Sequence, residues 1–253
     1  MSTVLPKPPP PAAKPNGPPP KAATEQRPKR DVRIVRGIQQ APQKIVVYGP
    51  GAVGKSELVA NATQAGLKPI FIDLESGTKF LDVARIDDCQ DFDDVRGLLN
   101  PASDALDEFD LVCIDSLTKL EELAVAWTLR NVKHPDKDCY VSSIEGYGYG
   151  KGLQFVFDTM LLILGDLDGL VRRGKNIVCI AHECVANVPN PSGDDWQRYE
   201  PRLQSPASGK ASIRHRIKEW TDHLLFVGYD VVVDRTGVAK GHGSRTIYPF
   251  ELP

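Results

Sequence analysis

The sequence lacks long apolar runs, paired cysteines and an apolar leader. Among its 253 residues, no apolar stretch comes near the roughly 18 residues that a membrane span needs, so we expect no membrane contact. The N-terminus lacks the apolar core of a secretory signal, which favours a cytoplasmic location. The five cysteines form neither a CxxC pair nor a metal-like cluster with histidine, a pattern typical of a reducing compartment.

Net charge is unevenly distributed along the chain. The net charge of the chain is -2, yet residues 1–36 hold eight lysines and arginines against two acids, a balance of +6. The remaining residues therefore carry a net charge of -8. An acidic body gives no general support to nucleic-acid binding, so any such role must rest on local basic patches.

Residues 1–31 have the composition of a tail. Ten of the first 30 residues are proline, and few are apolar. Such a segment cannot repay its ordering entropy, so we predict a flexible, basic, partly polyproline II arm. A solvated leader or electrostatic tether is favoured over a PxxP-type ligand. Ordered structure is predicted to begin near residue 32, where residues 32–35 alternate like a short edge strand, and one domain is predicted over 32–253.

Strand-like and helix-like segments alternate along this domain. The pattern predicts an α/β fold with a mostly parallel central sheet, flanking helices and a C-terminal β-hairpin whose turn lies at 234–237. The predicted strands are 44–48, 69–73, 110–115, 175–181 and 222–228. The predicted helices are 55–65, 92–99, a helix from Leu117 onward, and 153–173.

A glycine-rich loop directly follows the first predicted strand. It reads Gly-Pro-Gly-Ala-Val-Gly-Lys-Ser over residues 49–56, which is the P-loop pattern. Its backbone N–H groups are expected to cradle phosphates at the positive end of the next helix. Lys55 is predicted to reach the β- and γ-phosphates of ATP, and the Ser56 hydroxyl to ligate Mg²⁺. The predicted nucleotide contacts are Gly49, Pro50, Gly51, Ala52, Val53, Gly54, Lys55, Ser56 and Glu57.

Acidic residues follow two of the predicted strands. Asp115 ends the third strand, as the Walker B carboxylate does, and is expected to hold Mg²⁺ through water. Ser116 occupies the next position, where many ring-forming ATPases have their catalytic glutamate, so the base must come from elsewhere. Glu75, just past the second strand, is the predicted general base, because ligands collect outside the carboxyl ends of parallel strands. Asp73 is a weaker candidate, and the alternative role for Glu75 is a surface acid that starts a turn.

His182 ends the fourth predicted strand. A polar residue there can sense the γ-phosphate and pass the signal to the following loop. The alternative is a structural histidine.

These motifs together resemble those of RecA-type ATPases. More closely, the chain resembles the phage-encoded RecA-like proteins known as AAA-family or nucleotide-binding ATPases, a group that includes Sak-type single-strand-annealing recombination proteins. The resemblance implies a RecA-like fold, ATP hydrolysis with Mg²⁺, a homo-oligomer, single-stranded DNA and a single-strand-binding protein as partners, and the bacterial host cytoplasm. Bacterial RecA has Gln at the sensor position and an extra C-terminal domain, so RecA-like filament formation does not follow. The resemblance covers roughly residues 36–250, through segments 44–56, 71–85, 110–117, 146–152, 180–182 and 219–222.

Two segments are candidates for DNA contact. The first, residues 133–152, places tyrosines among glycines, and aromatic rings on such a backbone can stack on bases. The second, residues 183–218, is longer than a simple connector and has six lysines and arginines from position 198 onward against one acid. The alternatives are a packing turn and a solvated helix face leading to Trp220. The candidate contacts are Tyr147, Tyr149, Lys151, Trp196, Arg198, Arg202 and Lys210.

The C-terminal hairpin supplies two further basic candidates. By resemblance, Lys240 and Arg245 are expected to act across a subunit interface and stabilise the transition state. An ordinary charged hairpin is the alternative. A nucleotide-dependent switch or assembly protein that does not bind DNA is the rival function, and a P-loop kinase ranks third because no arginine-rich lid is visible.

Overall fold

The computed structural model describes residues 34–38, 41–190, 192–233, 236 and 239–249. The predicted tail, residues 1–31, lies outside these ranges. The chain divides into two units, residues 1–39 and 40–253. In the first unit, Ile34 and Val35 belong to no strand, so the described half of the predicted edge strand does not form. None of the helices in the described ranges is long and apolar enough to cross a membrane.

Strands and helices alternate through the second unit, largely as predicted. Two short 3₁₀ helices, Asn61–Ala65 and Ile144–Tyr147, accompany the main elements. The strands are β1 (Lys44–Gly49), β2 (Pro69–Asp73), β3 (Ala84–Ile86), β4 (Leu111–Asp115), β5 (Asn176–Val188), β6 (Trp196–Pro201), β7 (His223–Val233) and β8 (Ala239–Tyr248). The α-helices are α1 (Lys55–Ala60), α2 (Phe92–Leu99), α3 (Leu117–Asn131), α4 (Lys151–Arg172) and α5 (Ile213–Trp220).

The strands form one mixed sheet with the order β3-β2-β4-β5-β1-β7-β8, and β6 pairs with β5. All neighbours from β3 to β7 are parallel, whereas β7 and β8 pair antiparallel. The mostly parallel sheet and the C-terminal hairpin are therefore confirmed. The predicted hairpin turn falls mainly on residues outside the described ranges.

Both faces of the central strands are buried, which explains their continuous apolar runs. Every residue of β2 and β4 is buried. Alternate residues point to opposite layers: Val46 packs in the larger cluster with α2, α3 and α4, and Val47 packs in the smaller one with α1. Cys113 and Cys179 are fully buried in these layers, as expected for small apolar residues.

Helix ends follow local capping chemistry. Helix α2 begins after Asp91, which forms a capping box with Asp94, and it spans the predicted residues 92–99. Helix α1 is shorter than predicted, because the chain tightens into a 3₁₀ helix at residues 61–65 and stops at Gly66 in a left-handed conformation.

The largest departure from prediction is the segment 183–218, half of which lies in strands and a helix. Strand β5 continues beyond the predicted Ala181 to Val188 and pairs antiparallel with β6, from Glu183 opposite Pro201 to Val188 opposite Trp196. We call residues 183–201 the β5–β6 arm. Helix α5 then occupies 213–220, so the predicted helix leading to Trp220 forms, but its face is only partly solvated, since Arg214 donates to the carbonyl oxygens of Pro201 and Leu203.

Candidate nucleotide-binding site

The carboxyl ends of β1, β2 and β4 and the middle of β5 bring most of the predicted catalytic residues together. A cavity of about 300 Å³ opens there, beside the P-loop. The adjacency follows from the topology, because parallel strands end at the same edge of a sheet. The predicted residues that line the cavity are Gly51, Ala52, Gly54, Lys55, Ser56, Glu57, Glu75, Asp115 and His182.

The P-loop is held by close packing at its base and by a left-handed residue at its end. A Cβ at Gly49 would lie 2.1 Å from the carbonyl oxygen of Val227, so only glycine fits there. Gly54 precedes α1 with a φ of 94°, a conformation that glycine adopts without strain. These two glycines therefore let the P-loop backbone adopt its curved conformation in the absence of a ligand.

Lys55 is buried, and its ammonium group is already oriented. Its Nζ donates to the carbonyl oxygens of Gly49 (2.9 Å) and Pro50 (2.8 Å). Burial lowers the pKa of Lys55, and the nearby carboxylates, with Asp115 foremost, oppose that shift. An ammonium has three N–H donors, so one remains for a phosphate oxygen.

Ser56 and Asp115 form the predicted metal pair. The Ser56 hydroxyl donates to Asp115 Oδ2 at 2.6 Å. Burial raises the pKa of Asp115, and the charges of Asp73 and Glu75 add to that rise. No cluster of three or more His, Cys, Asp or Glu side chains suited to a metal occurs in the described ranges. Mg²⁺ takes few protein ligands beside substrate phosphates, so these two adjacent oxygens fit its requirements.

Glu75 is held on both carboxylate oxygens. Oε1 accepts a hydrogen bond from the Ser116 hydroxyl, and Oε2 lies 3.0 Å from His182 Nε2. Burial alone would raise the pKa of Glu75, but these hydrogen bonds and the positive charge of Arg202 hold it below its ordinary value. The side chains of Glu75 and His182 are each 29% exposed, so water reaches them. Glu75 is therefore oriented and accessible to water, as a general base must be.

Asp73, the weaker candidate, is occupied by the turn that follows β2. It accepts hydrogen bonds from the backbone N–H groups of Glu75, Gly77 and Thr78 and from the Thr78 hydroxyl. Burial alone would raise the pKa of Asp73, but these hydrogen bonds lower it. Asp73 shapes the turn that carries Glu75.

His182 connects three elements. Its ring contacts Glu75, its backbone N–H donates to the Thr118 hydroxyl of α3 (3.1 Å), and its carbonyl oxygen accepts from the backbone N–H of Arg202 (2.8 Å). The residue thus lies between the predicted base and the β5–β6 arm.

Sequence reasoning missed two charged residues near the cavity. One carboxylate oxygen of Glu183 is buried without a hydrogen-bond partner among the described residues, and burial raises the pKa of this group. Arg202, a predicted DNA contact, lies beside His182, with its charge acting on Glu75. If the strand had been predicted to continue past His182, Glu183 would have been expected near the cavity. No local sequence pattern predicts that Arg202 lies there.

The first predicted DNA segment is partly core. Tyr147 is 1% exposed, and its hydroxyl donates to the carbonyl oxygens of Thr128 (3.2 Å) and Val132 (2.6 Å), so it is not an exposed stacking platform. The glycine-tyrosine run is instead a packing turn at this residue. Tyr149 is fully exposed, and Lys151 forms an ion pair with Asp136 at 3.0 Å.

The second predicted DNA segment has fewer available cations than its sequence suggests. Arg198 and Lys218 both pair with the buried carboxylate of Glu200. Lys210 and Arg202 are exposed, and Trp196 is partly exposed on β6. The basic patch is therefore smaller than the count of six implied.

The hairpin candidates lie on β8. Arg245 Nη1 donates to the carbonyl oxygen of Val53 (3.0 Å) and lies 3.9 Å from Glu57 Oε2, so it contacts the P-loop of its own chain. Lys240 pairs with Val232 in the strand register, and its side chain lies outside the described part. Action across a subunit interface stays a prediction for both residues.

A P-loop after β1, a carboxylate at the end of β4 and a glutamate past β2, on a mostly parallel sheet, define a P-loop ATPase of RecA-like fold. The model of the AAA domain family matches residues 41–250, and the chain belongs to that family.

A search of solved structures found matches of low sequence identity. The flagellar accessory protein FlaH from Methanocaldococcus jannaschii is 14% identical, with 83% of this chain and 79% of that chain covered and a TM-score of 0.36. An ATPase from the type III secretion system of pathogenic bacteria is 14% identical, with coverages of 74% and 52% and a TM-score of 0.39. The P4 protein of bacteriophage phi6, in complex with ADP, is 14% identical, with coverages of 87% and 67% and a TM-score of 0.30. No curated protein matches.

Proposed function

We propose that this protein hydrolyses ATP with Glu75 as the general base and uses the cycle on single-stranded DNA in phage-type recombination or annealing. The observation that carries the catalytic part is the Glu75 carboxylate, held by Ser116 and His182 in the cavity that also contains Lys55 and Asp115. The resemblance to phage-encoded RecA-like proteins supports the DNA part.

Hydrolysis needs a water aligned opposite the leaving ADP. Glu75 accepts a proton from this water while the water oxygen bonds to the γ-phosphorus and the bond to the β–γ bridging oxygen breaks. Lys55 neutralises the charge that develops on the phosphate oxygens. Mg²⁺, held by Ser56 and by Asp115 through water, supplies further charge stabilisation when bound.

His182 reports the state of the base. Protonation of Glu75 removes the negative charge that its Oε2 presents to the imidazole ring, which lies 3.0 Å away. The carbonyl oxygen of His182 is bonded to Arg202 at the end of the β5–β6 arm. A change in the protonation of Glu75 can therefore reach the β5–β6 arm through His182 and the hydrogen bond from Arg202 to its carbonyl oxygen.

The DNA part of the proposal rests on exposed side chains. Tyr149 and Trp196 offer rings for base stacking, and Lys210 offers an exposed charge for phosphate. We further infer that the protein forms a homo-oligomer and has a single-strand-binding protein as partner. Light scattering with and without ATP tests the oligomer.

A nucleotide-dependent switch that does not bind DNA is the second candidate. Arg198 and Lys218 share the carboxylate of Glu200, and the ring of Tyr147 is buried, so fewer groups than predicted are available to DNA, which supports this alternative.

The ATPase rate with and without single-stranded DNA, at two salt concentrations, separates these functions. Stimulation that fades with salt supports the DNA function, because phosphate contacts release counterions. Tyr149→Ala is expected to reduce the stimulation. An equal rate across all conditions favours the switch.

A further inference from the structure

Glu183 carries a buried carboxylate oxygen, Oε2, that has no hydrogen-bond partner among the described residues. The residue follows His182 directly on β5 and lies opposite Pro201 of β6. Native folds rarely leave a buried polar atom unpaired, so such an atom requires a separate explanation. The proposed mechanism assigns no role to this carboxylate.

The position of Glu183 on β5 brings its charge to the P-loop lysine. In the β1–β5 register, Gly49 lies opposite His182, and Pro50 and Glu183 are the next residues along the two segments. The Nζ atom of Lys55 donates to the carbonyl oxygens of Gly49 (2.9 Å) and Pro50 (2.8 Å). The ammonium group of Lys55 therefore lies beside the part of β5 that carries Glu183.

The electrostatics of Lys55 agree with this placement. Burial lowers the pKa of Lys55, and three carboxylates oppose that shift, Asp115 most strongly, then Glu183, then Glu75. Glu183 thus acts on Lys55 more strongly than the predicted general base does. Among the described residues, those that line the nucleotide cavity do not include Glu183. Its carboxylate therefore influences a bound phosphate through charge and not through contact.

The fold does not need this carboxylate for its stability. Burial raises the pKa of Glu183, and the positive charge of Lys55 only opposes that rise. An acid whose pKa is raised in the folded state destabilises that state when it is ionised. Glu200, a buried acid of the same arm, is by contrast paired with Arg198 and Lys218. A charge that is kept at a cost to stability, without a structural partner, indicates a functional role.

Lys55 is oriented without help from Glu183. Two carbonyl oxygens hold its ammonium group, and because an ammonium has three N–H donors, one remains for a phosphate oxygen. A carboxylate close to this ammonium group attracts it and repels the phosphate. The charge of Glu183 should therefore weaken phosphate binding and not assist it.

We propose that Glu183 competes with the phosphates of the nucleotide for the charge of Lys55, and so keeps the affinity for ADP low enough for this product to leave. Glu183 acts through Lys55 and is therefore a positioning residue, not a catalytic one. The inference deepens the proposed function and rests on it, because it takes Lys55 as the phosphate ligand.

Binding of ADP and of inorganic tripolyphosphate to Glu183→Gln, measured by calorimetry, tests this role. The substitution removes the charge and keeps the shape of the side chain. We expect the Kd for both ligands to fall by roughly 3- to 30-fold, as removal of one like charge at a partly screened distance would give. The dissociation rate of ADP should fall as well, and the melting temperature should rise. A merely structural role for Glu183 predicts weaker binding and a lower melting temperature.

Glu200→Gln is the matched control, because it removes a buried charge from the same arm, at the position opposite Cys184 in the β5–β6 register. It should leave both Kd values unchanged. Glu183→Asp keeps the charge and should keep the affinity of the wild type. Unchanged or weaker ADP binding in Glu183→Gln would overturn the proposal, and so would equal tightening in Glu183→Asp.

These binding measurements do not depend on turnover, so they separate the inference from the proposed function. A protein whose ADP affinity rises in Glu183→Gln but whose wild type does not hydrolyse ATP would exclude the proposed hydrolysis and leave this role of Glu183 standing. A wild type that hydrolyses ATP, combined with unchanged Kd values in Glu183→Gln, would do the reverse.

Discussion

The nucleotide site and the segment 183–218 both concentrate charge, but they use it differently. In the nucleotide site, Lys55 is bonded to carbonyl oxygens and Glu75 to a hydroxyl and an imidazole, so their charges stay available. In the segment 183–218, Arg198 and Lys218 share the single carboxylate of Glu200, which offsets one of their two charges.

The number of charged residues in a segment therefore does not show how strongly that segment can bind a charged ligand. A group that is oriented by neutral partners keeps its full charge for a substrate. A group paired with an opposite charge supports the fold and offers little to a phosphate. Each experiment below changes one of these two arrangements.

Lys55→Ala should have the largest effect, because it removes the charge that the P-loop orients. We expect loss of ATP binding and a fall in turnover of at least roughly 10²–10³-fold, measured by calorimetry and phosphate release. Lys175→Ala is a close control, since Lys175 is equally buried and also donates to two carbonyl oxygens, those of Asp107 and Phe109. Comparable turnover in both variants would contradict the assignment.

Glu75→Gln should separate binding from chemistry. The amide keeps the shape and the contacts with Ser116 and His182 but accepts no proton, so turnover should fall by roughly 10²–10⁴-fold with little change in ATP affinity. Glu122→Gln, an exposed acid of α3, serves as the control. Full turnover in Glu75→Gln would exclude this residue as the base.

Glu200→Gln tests the other side of the comparison. Loss of this carboxylate leaves Arg198 and Lys218 with less neutralising charge, so affinity for single-stranded DNA should rise and depend more steeply on salt. The melting temperature should fall, because a buried pair is broken. Unchanged DNA affinity in a folded variant would count against a DNA surface here.

Ser116→Ala tests how the base is tuned. The Ser116 hydrogen bond lowers the pKa of Glu75, so its loss raises that pKa. Activity needs the ionised carboxylate, and the acidic limb of the kcat profile should therefore move to higher pH. A profile that keeps its acidic limb while kcat falls would show that Ser116 acts through another group.

Glu121→Gln should have a small effect, confined to stability. Burial raises the pKa of Glu121 from 4.5 to about 7, although the Gln204 N–H and Arg214 oppose the shift. The folded state thus binds this proton more tightly than the unfolded state does. The contribution of the bound proton to the free energy of unfolding is lost as the pH rises from 4.5 to about 7. The variant should melt above the wild type at pH 8 and alike at pH 4. Equal melting temperatures of the variant and the wild type at both pH values would contradict this prediction.

Much of the nucleotide site could be predicted because its signals are local. Apolar runs that end in an acid, as at Asp115, or in a polar residue, as at His182, reveal both a buried strand and its functional end. The sheet order then brings those ends together without further information.

Long-range pairing was not predictable in the same way. Arg202 reaches His182 only because β6 pairs with the extension of β5, and nothing near Arg202 in the sequence records that register. Tyr147 is similar, since the carbonyl oxygens that bind its hydroxyl belong to the end of α3. A glycine-tyrosine run does not reveal which rings turn inward.

Strand β5 has a mechanical consequence. It is one continuous strand from Asn176, in the middle of the sheet, to Val188 in the arm, and His182 lies at its midpoint. The extension of β5 beyond His182 spans about 20 Å, at roughly 3.3 Å per residue, and its partner strand β6 packs on the domain through Tyr199, which stacks on Phe226. Because β5 is continuous, a displacement of the arm near Val188 acts on the same strand that positions His182 3.0 Å from Glu75.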